Sequence, residues 1–203
     1  MEYLTVDGIV ESKYEIQRSV FICTLKGIEN FDDGMNFVKE ISKRYSDATH
    51  NCYAITAKDG QQKFSDDGEP QGTAGMPILQ TLKKSGLTNV VAVVTRYFGG
   101  IKLGAGGLVA SYTKSCSDAV SVANKVTVKL CDEGEILSSY PDYKRISDCV
   151  TRYGKINSVD FADEVKIRFS VPVGFTEELT EKLNELTAGK LCCKIIAQAY
   201  GKF

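Results

Sequence analysis

Histidine is almost missing from this chain, and the single one, His50, excludes every metal site that needs two. No C-x-x-C pair exists among the seven cysteines, Cys23, Cys52, Cys116, Cys131, Cys149, Cys192 and Cys193. Zinc-ligand spacing is therefore absent, and an odd count set among apolar residues reads as buried thiols in a reducing cytoplasm. No apolar run approaches the roughly 18 residues a membrane helix needs, so no membrane partner is expected. The start of the chain lacks a basic region followed by an apolar core, so no signal peptide is expected either. Excess charge is lacking too: 25 Lys+Arg stand against 26 Asp+Glu, a net charge of −1. Divided after Leu130, the chain carries 15 basic and 14 acidic residues before that point, and 10 and 12 after it. Neither part is a strongly basic nucleic-acid binder, nothing signals DNA in particular, and any such binding must come from a local patch.

What the chain does have is glycine in one place. Residues 96–107 read RYFGGIKLGAGG, with five of the 18 glycines in 12 residues. The run before it, NVVAVVT (89–95), reads as a buried strand. The run after it spaces Leu108, Tyr112, Cys116, Ala119, Val120 and Ala123 as a helix does. Glycines at a strand-to-helix turn let backbone approach a ligand, and helix-start amides favour an anion. Arg96 and Lys102 bracket the loop with positive charge, and Tyr97 or Phe98 offers a stacking face. The candidate phosphate or nucleic-acid site is thus Arg96, Tyr97, Phe98, Gly99, Gly100, Lys102, Gly104, Gly106 and Gly107. Ala105 stands where a P-loop needs lysine, and Val109 where a dinucleotide fingerprint needs its third glycine. The alternative is a tight turn whose glycines serve helix–sheet packing alone.

Two further segments carry chemistry. Residues 65–79 read SDDGEPQGTAGMPIL. Asp66, Asp67 and Glu69 could hold Mg²⁺, could act as an acid/base pair, or could form a solvated acidic turn. Pro70, Gly72, Thr73 and Gly75 specify backbone shape more tightly than a passive turn requires. Residues 48–54 read ATHNCYA, placing His50, Asn51 and Cys52 at the start of a strand. A Cys–His nucleophile pair is conceivable there. A structural or hydrogen-bonding His50 ranks above a catalytic one, and no residue is assigned a catalytic role.

Patterning predicts strands over 4–11 and 19–26, a helix over 31–45, a strand over 51–57, and a short helix from Pro77 to Lys84. After Val126 the pattern becomes strand, helix (141–153), two strands (156–161 and 165–173), a helix capped by Thr176, and a strand over 191–199. That order is a ferredoxin-like split βαβ sandwich. Tyr140, Tyr143 and Tyr153 could stack bases, although packing is the plainer role.

Together the three motifs, ATHNCYA (48–54), SDDGEPQGTAGMPIL (65–79) and RYFGGIKLGAGGLVASY (96–112), resemble the Impact/YigZ family over nearly the whole chain. One departure is Arg18-Ser19-Val20-Phe21, where members usually carry a basic residue just before the phenylalanine; Arg18 could substitute. The resemblance implies an α+β fold of two two-layer sandwiches. Residues 1–130 would form a domain like domain IV of elongation factor G, and residues 131–203 a ferredoxin-like domain. It implies translational control, hence RNA, the ribosome or a translation-related protein as partner. An enzyme acting on a phosphorylated small molecule or nucleotide, with Mg²⁺ on the acidic loop, and a protein-docking module are the competing classes.

Overall fold

The computed structural model describes residues 2–189 and 192–203, and it divides into two units at Val126/Thr127. The first unit, Tyr3–Val126, is built on an antiparallel sheet in the order β2-β3-β6-β4-β5. Its strands are β2 (Ile9–Ile16), β3 (Ser19–Gly27), β4 (His50–Thr56), β5 (Gln62–Ser65) and β6 (Val90–Tyr97). β1 (Glu2–Val6) contributes Val6 to this unit's core, and Thr5 Oγ1 donates to the Asn89 carbonyl at 2.9 Å.

The continuous apolar run of β6 makes it the central strand, because its two faces are both covered. Ala92 and Val94 face α2 (Gly75–Lys84) and α3 (Gly104–Val122), with Phe21, Cys23, Leu25, Cys52, Ile78 and Tyr112. Val91 and Val93 face α1 (Phe31–Arg44), against Phe37, Val38 and Ile41. The mixed α+β class and the two-sheet architecture hold. The first unit adds a layer to the expected sandwich, since α1 covers the sheet's second face. Asn30 caps α1 by accepting from the Asp33 amide at 2.9 Å, and Asp32 and Asp33 complement its dipole.

The second unit, Thr127–Phe203 with Glu2 joining it, contains β7 (Lys125–Ser138), α4 (Tyr140–Tyr153), β8 (Lys155–Phe161), β9 (Val165–Pro172), α5 (Thr176–Thr187) and β10 (Cys192–Lys202). β9 pairs with β7 and β8, and β10 with β7, all antiparallel. The resulting order β10-β7-β9-β8 is the ferredoxin-like arrangement. Alternation in β9 puts Val165, Ile167 and Phe169 against Ile146, Val150, Leu179 and Leu183 of the two helices. Lys166 and Arg168 take the other face, where both pair with Glu135 at 3.3 and 3.4 Å.

Some boundaries move. β5 was not expected, and β7 runs unbroken over 14 residues where patterning marked only its start. Thr176 does not cap α5: Phe175 holds the cap position, and the Thr176 hydroxyl donates instead to Asp132 at 2.5 Å. The expected last strand begins at Leu191, which lies outside the described residues. Tyr140 and Tyr143 pack on Phe161, with ring centroids 6.2 and 5.4 Å apart, and the Tyr153 hydroxyl donates to Glu178.

Candidate functional site

Register brings the three motifs together. β4 pairs with β6 so that His50 lies opposite Arg96, and the Thr49 amide donates to the Arg96 carbonyl at 2.9 Å. β5 runs antiparallel to β4 from Thr56 to Tyr53, and the acidic motif continues past it to lie beside Cys52, Asn51 and His50. Glu69 sits at the centre, its side chain only 3% exposed. Its Oε1 accepts from Arg96 Nη1 at 2.6 Å and from the Tyr112 hydroxyl at 2.7 Å. Residues from a strand, a loop and a helix therefore meet on one carboxylate.

Arg96 was expected to meet phosphate, and its placement argues otherwise. Its side chain is 6% exposed and lies between two rings, Phe21 at 5.4 Å and Phe98 at 5.5 Å. A phosphate could reach it only by displacing Glu69, which would leave a buried carboxylate unpaired at a cost of several kcal/mol. The charge of Arg96 is spent inside the protein.

The neighbouring acids serve backbone shape. Asp66 Oδ1 accepts from the Ala74 and Gly75 amides at 3.0 and 2.8 Å, and Oδ2 from the Gly72 amide at 2.8 Å. It supplies the cap that Ala74, the N-cap residue of α2, lacks. Partial burial works to raise the Asp66 pKa, but the amides of Gly72, Gly75 and Ala74 outweigh it and hold the carboxyl below its usual value. Asp67 Oδ2 accepts from the Asn51 amide at 2.6 Å, and the Thr73 hydroxyl donates to the Pro70 carbonyl. Asp66, Asp67 and Glu69 are thus turned to three different partners. Among the described residues, no group of three or more His, Cys, Asp or Glu is placed to hold a metal ion.

Cys52 and His50 do not form a nucleophile pair. The Cys52 thiol is buried and donates toward the Asp66 carbonyl at 2.9 Å. Burial pushes its pKa well above the usual thiol value, and the carboxylates of Glu69, Asp67 and Asp66 push the same way. Tyr112 is likewise held protonated by burial and by its neighbours. His50 Nδ1 lies 2.6 Å from the Asp67 carbonyl, which can only accept, so Nδ1 carries the hydrogen. Nε2 then faces Glu69 Oε2 at 4.0 Å.

The glycine loop lies over this cluster. The Phe98 amide donates to Thr49 Oγ1 at 3.0 Å, and the Gly99 amide to Ser19 Oγ at 3.1 Å. Gly99 has no alternative: a Cβ there would stand 2.1 Å from the Arg18 carbonyl carbon. That close approach sets the β2–β3 turn, with exposed Arg18, against the loop. Lys102 is exposed, and Phe98 is 46% exposed. Tyr97 is half-buried, its hydroxyl donating to Asp47 at 2.9 Å. Gly99 and Gly100 belong to the loop; Gly104, Gly106 and Gly107 form the first turn of α3. Leu103, the N-cap, gives no side-chain cap, and the first turn has no acid. Gly104 takes φ +70°, and Gly104, Ala105 and Gly106 are exposed. The first-turn amides of this 19-residue helix therefore follow exposed Lys102 by two residues, while exposed Arg18 lies where its backbone meets Gly99 at the other end of the loop.

Taken together, the class is a two-unit α+β protein, with a glycine-rich strand–loop–helix over a buried Glu–Arg–Tyr cluster and a ferredoxin-like second unit. Residues 17–120 match the Impact N-terminal domain, and residues 139–190 match a domain of unknown function, DUF1949. The chain is 38% identical over 194 residues to the IMPACT family member YvyE of Bacillus subtilis, covering 93% of this chain and 88% of that protein. It is 35% identical over 182 residues to the IMPACT family member YigZ of Escherichia coli, covering 87% and 89%. A solved structure described as a hypothetical protein matches with a TM-score of 0.64 at 32% identity, over 97% of this chain and 98% of that one. The chain belongs to the IMPACT family. No helix among the described residues is long and apolar enough to cross a membrane.

Proposed function

We propose that this protein is a translation-associated regulator that binds RNA, on the ribosome or free, through the rim of its glycine-rich loop. The observation that carries the reading is exposed Lys102 just before the uncapped, glycine-built start of α3, on a loop whose other end, Gly99, is held against exposed Arg18. Phosphate oxygens take contacts of that kind from cations and from helix N-termini. Phe98 supplies an apolar face for an unpaired base. Two cations are few, which agrees with the net charge of −1 and predicts modest, salt-sensitive affinity.

The test is a titration of the protein against 70S ribosomes, tRNA and a mixed single-stranded RNA at low and moderate salt. Wild type and Arg18→Ala/Lys102→Ala are compared. Salt-sensitive binding that the double variant loses is expected. Binding unaffected by the double variant, or no binding at all, would overturn the proposal.

A further inference from the structure

The cluster beneath the loop is unmatched in both hydrogen-bonding senses. His50 Nδ1–H is committed to the Asp67 carbonyl, so in the neutral ring Nε2 is the free acceptor. It faces a second acceptor, Glu69 Oε2, at 4.0 Å, beyond hydrogen-bond reach. Arg96 Nε is a buried donor with no acceptor among the described residues. Buried polar groups seldom stay unpaired, because each costs free energy comparable to a lost hydrogen bond. The His50 side chain keeps 19% exposure, so this edge of the cluster reaches solvent. A nitrogen bearing two hydrogens can lie about 2.8–3.0 Å from both acceptors across such a gap.

We infer that His50 Nε2 and Glu69 Oε2 together form a recognition site for the exocyclic amine of an unpaired adenine or cytosine. Both bases carry an –NH₂, whose two hydrogens on one nitrogen match two acceptors 4.0 Å apart. Uracil offers a ring N–H between two carbonyls instead and would set its oxygens against Glu69. A run of contacts links the site to the loop: Glu69 to Arg96, Arg96 to the Phe98 ring, and the Phe98 amide to Thr49, the residue before His50. The inference rests on the RNA reading above and adds a base preference to it.

His50 is the only histidine, so one imidazole resonance reports the site without assignment. The wild-type protein is titrated by NMR with rA8, rC8 and rU8, and separately with AMP, CMP and UMP. The expected result is a shift of the His50 resonance with the adenine and cytosine ligands and not with the uracil ones. Preference for rA8 over rU8 is on the order of tenfold, and His50→Phe abolishes that preference. Equal affinity for all three oligomers with the His50 resonance unmoved would overturn this inference and leave the RNA reading standing. AMP and CMP moving His50 while no RNA binds would support the base site and overturn the RNA reading. No response to any ligand would overturn both.

Discussion

Two tyrosine hydroxyls bonded to glutamates, one in each unit, have little else in common. Tyr112 donates to Glu69 at 2.7 Å where both side chains are buried. Tyr153 donates to Glu178 at 3.1 Å on the surface. Burial comes first in raising both phenol pKa values, followed by Cys52 and then Glu69 at Tyr112 and by Glu178 at Tyr153, and it carries Tyr112 much the further. Water can replace Tyr153 at Glu178. Nothing replaces Tyr112 at Glu69, whose Oε1 would keep only Arg96. The same contrast holds for ion pairs. Arg96–Glu69 is nearly closed to solvent, whereas Glu135 shares its charge with two exposed cations. Position decides what a polar contact is worth, and the motifs of this family put their polar residues where each contact matters.

That contrast can be tested from its largest expected effect downward. Tyr112→Phe should destabilise the first unit by about 1.5–3 kcal/mol, the range for a hydrogen bond to a buried charged group. Tyr153→Phe should leave the denaturant midpoint in place; equal losses from the two would erase the distinction. Asp66→Asn should cost about 1 kcal/mol, as loss of a helix cap does. Its pH dependence follows from linkage. The folded Asp66 pKa lies below the unfolded one, so its contribution is complete above the unfolded value and is lost as pH falls through the folded value. Wild-type stability should therefore fall more steeply on acidification than that of Asp66→Asn, and parallel acid curves would contradict the capping role. Cys52 should resist alkylation in the native protein at pH 8 and react on unfolding, with mass spectrometry as the readout. Rapid native labelling at that position would reopen a nucleophilic role. The smallest effect belongs to Glu135→Ala, where added salt should remove any change in midpoint.

Much of the fold could be read from the chain, because its signals are local. The apolar run of β6, the alternation of β9 and the glycine-to-helix order each follow from one stretch of sequence. β5 could not be read: Gln62–Ser65 is short and largely exposed, and it exists through pairing with β4. The fate of Arg96 was hidden for a similar reason. In sequence it opens a glycine loop like a phosphate ligand, yet strand register sets it opposite His50 and within reach of Glu69, 27 residues earlier. The backbone-shaping residues around Asp66 did hint at its use, since a loop so tightly specified needs its amides satisfied. Tyr112 was legible as one residue of an apolar helical stripe, but not as the second donor to Glu69. The role of Arg18 depends on the Gly99 contact, 81 positions away in the chain, which no local pattern reports.

The account turns on Arg96 being an internal partner of Glu69 rather than a ligand-facing cation. The most direct measurement is a double-mutant cycle on that pair, using Arg96→Met, Glu69→Leu and the double variant, with unfolding free energy and RNA binding measured on each. Each single change should cost about 3–5 kcal/mol, and the double variant should recover a large part of that loss. Affinity for rU8 should stay near that of wild type in the double variant, which loses only the preference for rA8. Additive losses in stability, together with RNA binding lost whenever Arg96 is replaced, would contradict the account and return Arg96 to the phosphate.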